Sequence, residues 1–287
     1  MQPIVTSFFD EATFTFSYVL QDAASKSCAI IDSVLNFDYA SGSTSYRSAD
    51  EILAFVREND LQVEWILESH VHADHLSGAP YLKEQTGARI GIGAGVKVVQ
   101  QTFSKAFNST DEMRCEGEQF GRLFADGDTI QIGTMAGYAL HTPGHTPACM
   151  TYIFGDAAFV GDTLFMPDFG TARCDFPGGD AAILYRSIKK IFTLDENTRL
   201  FMCHDYKAPG RDEYACETTV GAEREQNIHV GNGVSEVDFV KMRSDRDSTL
   251  SMPKLILPAV QVNIRAGNMP PAEDNGQSYL KIPVNLF

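Results

Sequence analysis

The chain has 287 residues, 44% of them hydrophobic, and a formal net charge of −15 at pH 7. That is enough for one large domain, or one domain with an appendage, around a substantial core. The acidity opposes nucleic acid and anionic membrane as partners, and no apolar run approaches transmembrane length.

The six cysteines, Cys28, Cys115, Cys149, Cys174, Cys203 and Cys216, are scattered. They suggest neither a zinc knuckle nor a disulfide scaffold, and so a reducing compartment. The opening MQPIVTSFFDEATFTF has no basic region and reads as neither a signal nor a transit peptide. A cytoplasmic protein is expected.

Residues 3–9, 14–20 and 28–33 are β-rich and separated by polar turns, an antiparallel opening meander. Ser48-Ala49-Asp50-Glu51 reads as a capping box, followed by a helical stripe of Ile52, Leu53, Phe55 and Val56. A buried strand is expected at 63–68 and a helix over Leu76–Thr86, with Pro80 near its start. A strand at 89–92 and a helix at 95–104 precede a polar stretch at 108–122.

After the Asp126-Gly127-Asp128 turn, strands are expected near 129–132 and 136–141. Gly155-Asp156 marks a hairpin between 152–154 and 158–160. Residues 163–180 read as loop, and Asp180 caps a helix running through 192 on Ile183, Leu184, Ile188 and Ile191. A strand follows at 199–202, then charged helices at 217–228 and 235–246. The proline-rich remainder reads as an extended tail with short β-like pieces at Ile256-Leu257 and Val260–Val262. Two similar halves joined near 108–125 suit an α/β fold, a four-layer αββα sandwich with a C-terminal extension. The expected division is a catalytic unit over 1–210, with 211–287 packed on it.

Three of the seven histidines fall between His70 and His75, with Asp74 among them, on the loop leaving the strand at 63–68. Imidazole and carboxylate suit Zn²⁺ or Fe²⁺. His145 in HTPGHT, Asp162 in VGDT and His204 in CHDY each lie just past another strand-like run. Four strand ends delivering such residues point to one metal centre.

Taken in order, HxHxDH, HTPGHT, VGDTLF and CHDY resemble the metallo-β-lactamase superfamily over residues 1 to 210. SHVHADHLSGA, GDTLFMPDFGTARCDFPGGDA, HDYKAPGR and the tail LPAVQVNIRAGNMPP resemble, more finely, the persulfide dioxygenases, and among them a bacterial single-domain branch labelled β-lactamase-related. The resemblance implies oxidation of glutathione persulfide by O₂ to sulfite and glutathione. It implies one Fe(II) per chain, held by His70, His145 and Asp162, with His72, Asp74, His75 and His204 as supporting catalytic residues. It also implies a homodimer and a separate rhodanese-type sulfurtransferase as partner.

Glutathione carries two carboxylates, so local cations are expected at its site. Arg173, Tyr206, Lys207 and Arg211 leave metal-bearing strand ends and are the candidate contacts. His141 reads as structural, His229 as a surface histidine, and the cysteines as inert. Two rivals remain: a binuclear metal thioester hydrolase of glyoxalase II type, using the same residues, and a non-enzymatic metal sensor.

Overall fold

The structure, a computed structural model, describes residues 2–286. Its first sheet holds β1 (Ile4–Asp10), β2 (Thr15–Gln21), β3 (Ser27–Ile31), β6 (Gln62–Leu67), β8 (Arg89–Gly93) and β9 (Arg122–Phe124), in that order. The second runs β10 (Thr129–Ile132), β11 (Met135–His141), β12 (Met150–Phe154), β13 (Ala157–Gly161), β14 (Arg199–Met202) and β15 (Glu217–Thr219). A small sheet joins β5 (Ser43–Ser45), β4 (Val34–Asp38) and β7 (Leu76–Ser77).

Side-chain alternation at period two sorts the first sheet's residues between two cores. Phe16, Tyr18 and Leu20 face inward and meet Tyr152, Phe154 and Phe159 of the second sheet. Val19, Ile30 and Ile66 face outward, beneath α1 (Arg47–Glu58), α2 (Ala79–Thr86) and α3 (Val96–Ala106). On the second sheet's outer face, Ile153, Val160 and Leu200 are covered by α4 (Ala181–Ile191), α5 (Val220–Gln226) and α6 (Glu236–Asp247). The result is the expected αββα sandwich.

Several local expectations change. Ser48 does not cap α1, which begins at Arg47 without a side-chain cap; its hydroxyl donates instead to the buried Asp10 carboxylate (2.9 Å). Leu76 and Ser77 pair with β4, so α2 starts only at Ala79, with Pro80 in its first turn where no N–H is needed. The helix expected at 217–228 begins as strand β15, paired with β14, and is helical only over α5; the strands β4, β5 and β9 were not legible. The β-like pieces after Met252 form one helix, α7 (Ile256–Asn263), which tolerates Pro258 because it lies in the first turn. No helix among the described residues is long and apolar enough to cross a membrane.

Candidate metal centre

Parallel pairing sets the site's location. β6 runs parallel to β3 and β8, and β13 runs parallel to β14. The carboxyl ends of β6, β11, β13 and β14 therefore gather at one edge of the sandwich, as expected for ligands just past each strand. The two sheets are riveted there. Met150 N–H donates to Ser69 O (2.8 Å) and the Tyr152 hydroxyl to Glu68 O (2.9 Å). β13 breaks register at Gly161, whose φ of 52° turns the chain into Asp162. A Cβ there would lie 2.6 Å from Ser69 Oγ, so only glycine lets this strand end meet the ligand loop.

The ligand loop is held from outside. Asn263, the last residue of α7, donates to His72 O (2.9 Å) and His75 O (2.8 Å), and its Oδ1 accepts from Ser77 N–H (2.8 Å). Asp32 Oδ1 accepts from Ser69 N–H (2.7 Å). Sequence reasoning singled out neither residue. Asn263 carried one weak signal, a polar side chain closing the largely apolar run Ile256–Val262.

Each imidazole has one nitrogen occupied by the protein. His145 Nδ1–H donates to Arg173 O (2.7 Å), His204 Nδ1–H to Phe14 O (3.2 Å), and His70 Nδ1 meets Ser69 Oγ (2.9 Å). His72 Nε2 faces Asp32 (3.1 Å) and Glu68 (3.4 Å), and His75 Nδ1 faces Asp74 (3.4 Å). These contacts fix the rings and turn their other nitrogens inward. His70 Nε2, His72 Nδ1, His75 Nε2, His204 Nε2 and Asp162 Oδ1 are all buried without a hydrogen-bond partner. Orphaned polar atoms converging in one place are costly unless a cation satisfies them.

The residues fit a metal. His70, His145 and Asp162 present donor atoms within 4.8 Å of one another, as do His72, Asp74, His75 and His204. Asp162 Oδ2 lies 3.8 Å from His70 Nε2 and 3.6 Å from His145 Nε2. Ligands each about 2.0–2.2 Å from one ion stand roughly that far apart. Burial, reinforced by the neighbouring imidazoles, pushes His70 well below its ordinary pKa, and burial brings His75 down to about 4. Both rings are therefore neutral donors at pH 7. Burial also acts against charge on His72, but Asp32 and Glu68 outweigh it and raise that ring's pKa, so a cation at Nδ1 would have to displace a proton. Burial raises the Asp162 carboxyl, opposed by His204 and His145.

A cavity of about 780 Å³ opens over His145, Asp162 and Asp74. Phe14, Phe37, Phe165, Phe169 and Phe176 form much of its wall, and the stretch Arg243–Leu255 closes the far side. Tyr206 lines it, with its hydroxyl 3.4 Å from Asp74 Oδ2. Arg173 also lines it, but its guanidinium grips Asp175 (2.6 and 2.7 Å) and Ser251 O (2.7 Å).

The other two expected contacts need correction. Lys207 lies over the Tyr214 ring, 4.2 Å from its centroid, and Arg211 is held by both Asp168 and the buried Asp205; neither lines the cavity. Asp205, immediately after His204, is a buried carboxylate that needs a cation, and Arg211 supplies it. The cavity's cations without an ion pair among the described residues are Arg246 and Lys254. Their sequence neighbourhoods, a charged helix and a proline-rich stretch, gave no signal.

His229 is buried rather than superficial, with Nδ1 accepting from Thr171 N–H (3.0 Å). His141 Nε2 meets Pro147 O (2.9 Å) and belongs to neither donor cluster. All six thiols are free. Cys203 lies beside Asp162 and His204, but burial pushes its thiol well above the ordinary range.

Comparison with known proteins agrees with this geometry. The family model described as the metallo-beta-lactamase superfamily matches residues 10–204. A Burkholderia pseudomallei protein named "probable metallo-hydrolase" is 55% identical, over 99% of both chains. Glyoxylase B2 of Dictyostelium discoideum is 49% identical, over 95% of this chain and 94% of its own. Human mitochondrial persulfide dioxygenase ETHE1 is 30% identical, over 93% of this chain and 90% of its own. The crystal structure of ETHE1 from Myxococcus xanthus superposes with a TM-score of 0.74 at 30% identity, covering 92% of this chain and all of that one. By its sequence and by its layered fold, the chain belongs to the metallo-β-lactamase superfamily.

Proposed function

We propose that the chain is a persulfide dioxygenase. It converts glutathione persulfide, O₂ and water to glutathione, sulfite and two protons, at one Fe(II) per chain held by His70, His145 and Asp162. The observation that carries this reading is the two-histidine, one-carboxylate set itself. Such a set suits non-heme Fe(II) and leaves positions open for two further ligands. Whole-length similarity to persulfide dioxygenases supports it.

Iron supplies, when bound, the redox capacity that lets O₂ react with a sulfur atom. The protein's own residues orient and select. Arg173 O fixes the tautomer of His145, and Ser69 Oγ orients the His70 ring. Asp74 and the Tyr206 hydroxyl, 3.4 Å from Asp74 Oδ2, line the cavity beside the metal residues and orient the entering persulfide. The aromatic wall keeps bulk water from the sulfur. Arg246 and Lys254 hold the glutathione carboxylates.

A second reading has specific support. His75, His204 and Asp74 form a complete second donor group with two orphaned nitrogens, and two relatives carry hydrolase or glyoxylase names. Two Zn²⁺ ions there would make a thioester hydrolase. One comparison separates them: protein isolated without oxygen and loaded with either metal is given glutathione persulfide or an S-acylglutathione. O₂ uptake matched by sulfite with about one iron per chain is expected. Thioester cleavage with two zinc ions and no O₂ uptake would replace this reading by the hydrolase.

A further inference from the structure

Arg243 is almost wholly buried, although it belongs to the charged helix α6 and to no ligand motif. Its Nε donates to Asp247 Oδ1 (2.8 Å) one turn on, and its Nη1 donates to Thr171 O (3.0 Å). Asp247 Oδ2 in turn accepts from Cys174 N–H (2.8 Å). The pair thus holds the backbone on both sides of Arg173. The carbonyl between those two holds is the one that accepts from His145 Nδ1–H at 2.7 Å.

We propose that Arg243 and Asp247 are positioning residues for His145. The stretch 164–180 contains neither helix nor strand, so no ladder of its own aims the Arg173 carbonyl. The Arg173 side chain is turned away to Asp175 and Ser251 O, which leaves only its backbone facing the ligand. The aim comes from α6, with a second fixing point where Thr171 N–H donates to His229 Nδ1 (3.0 Å). Gly170, at φ +100°, makes room for that ring, since a Cβ would lie 2.2 Å from His229 Nδ1. Through this path, a helix outside the ligand motifs sets which His145 nitrogen is free for metal and where it points.

The proposal rests on His145 as a ligand, a part of the functional reading shared by its iron and zinc forms, and its test measures no turnover. Metal-free protein is titrated with Co²⁺ against a competing chelator, and its thermal midpoint is recorded without metal. Two variants are compared with the unaltered chain. Asp247→Asn keeps the volume but turns an amide toward Cys174 N–H or toward Arg243. The double variant Arg243→Met with Asp247→Leu replaces the buried pair by apolar groups, an exchange that folds commonly tolerate.

Both should lose tenfold to a hundredfold in Co²⁺ affinity, the usual effect of removing a ligand's outer hydrogen-bond partner. The metal-free midpoint of the double variant should stay within a few degrees of the original. The slowly exchanging His145 Nδ1–H proton signal of the Zn²⁺-loaded chain should be lost in both. Affinity within twofold of the original, or an intact Nδ1–H signal, would overturn the proposal. So would an affinity loss that appears only alongside a matching drop in the metal-free midpoint, since that is ordinary structural damage. Should the double variant fail to fold, Asp247→Asn decides on the same readouts.

Discussion

Asp162 is the carboxylate on which both donor groups converge, with Oδ2 facing His70 and His145 and Oδ1 lying 3.5 Å from His204 Nε2. In the mononuclear reading it is the only anionic ligand. Asp162→Ala should therefore lose its iron, while His204→Ala retains most of it, as measured by metal content after gel filtration. Equal loss in both would indicate a binuclear centre. The cations divide as sharply. Arg246→Ala and Lys254→Ala should raise KM by about threefold to tenfold with kcat nearly unchanged, as for removal of an exposed charge contact. Arg211→Ala should leave KM alone and cost about 2–3 kcal/mol in urea unfolding, because it strips the partner from buried Asp205. A rise in KM for Arg211→Ala would restore it as the substrate anchor. The metal-type residues were legible because a tight local spacing and turn-marked strand ends identify them. The cavity cations Arg246 and Lys254 were not, because a surface charge looks the same in sequence whether it meets solvent or a cavity.

At the scale of elements, α7 shows most clearly where sequence reading fails. Its Ile, Leu and Val residues with an internal proline resemble broken strand, and only tertiary burial on both sides makes a helix of them. Asp180, by contrast, was readable because a cap is a local device; it accepts from Ile183 N–H as expected (2.8 Å). Ser48 had the same local signal, but the buried Asp10 carboxylate competes for its hydroxyl and wins. Asn263 places α7 under the ligand loop. Asn263→Ala removes three buried hydrogen bonds and leaves two carbonyls unsatisfied, so a loss of about 2–4 kcal/mol is expected in chemical denaturation. Asn263→Asp should be no better, since a carboxylate cannot donate to His72 O or His75 O. Full stability in the aspartate variant would show that these two bonds contribute little.

For the whole molecule, one buried acid links stability to pH. Glu223 of α5 is fully buried, and burial pushes its carboxyl up to about 8, with Asn227 opposing and Asp168 adding to the rise. The folded pKa exceeds the unfolded one, near 4.5, so the folded chain binds the extra proton between those values. Its contribution is intact below about pH 4.5 and declines as pH rises to about 8. Glu223→Gln, neutral throughout, should lie close to the parent near pH 5 and exceed it by about 3–4 kcal/mol near pH 8. A gap that does not widen with pH would mean that Glu223 is not protonated in the fold. The sandwich itself was visible from alternation and from helical stripes. The C-terminal segment's role was not, because it acts entirely through contacts distant in sequence.

That segment serves two ends. Arg243 to Leu255 forms the far wall of the cavity, while Asp247, Arg243 and Asn263 lie behind the rings and the loop that face the metal. In the proposed reading, substrate choice and metal retention thus depend on the same stretch, residues 243 to 263. A lineage that remodels this stretch to accept a different thiol would alter its hold on the ion in the same step. New specificities in this architecture should arise in company with shifts in metal preference, and a graft of the segment from a relative should carry both traits together.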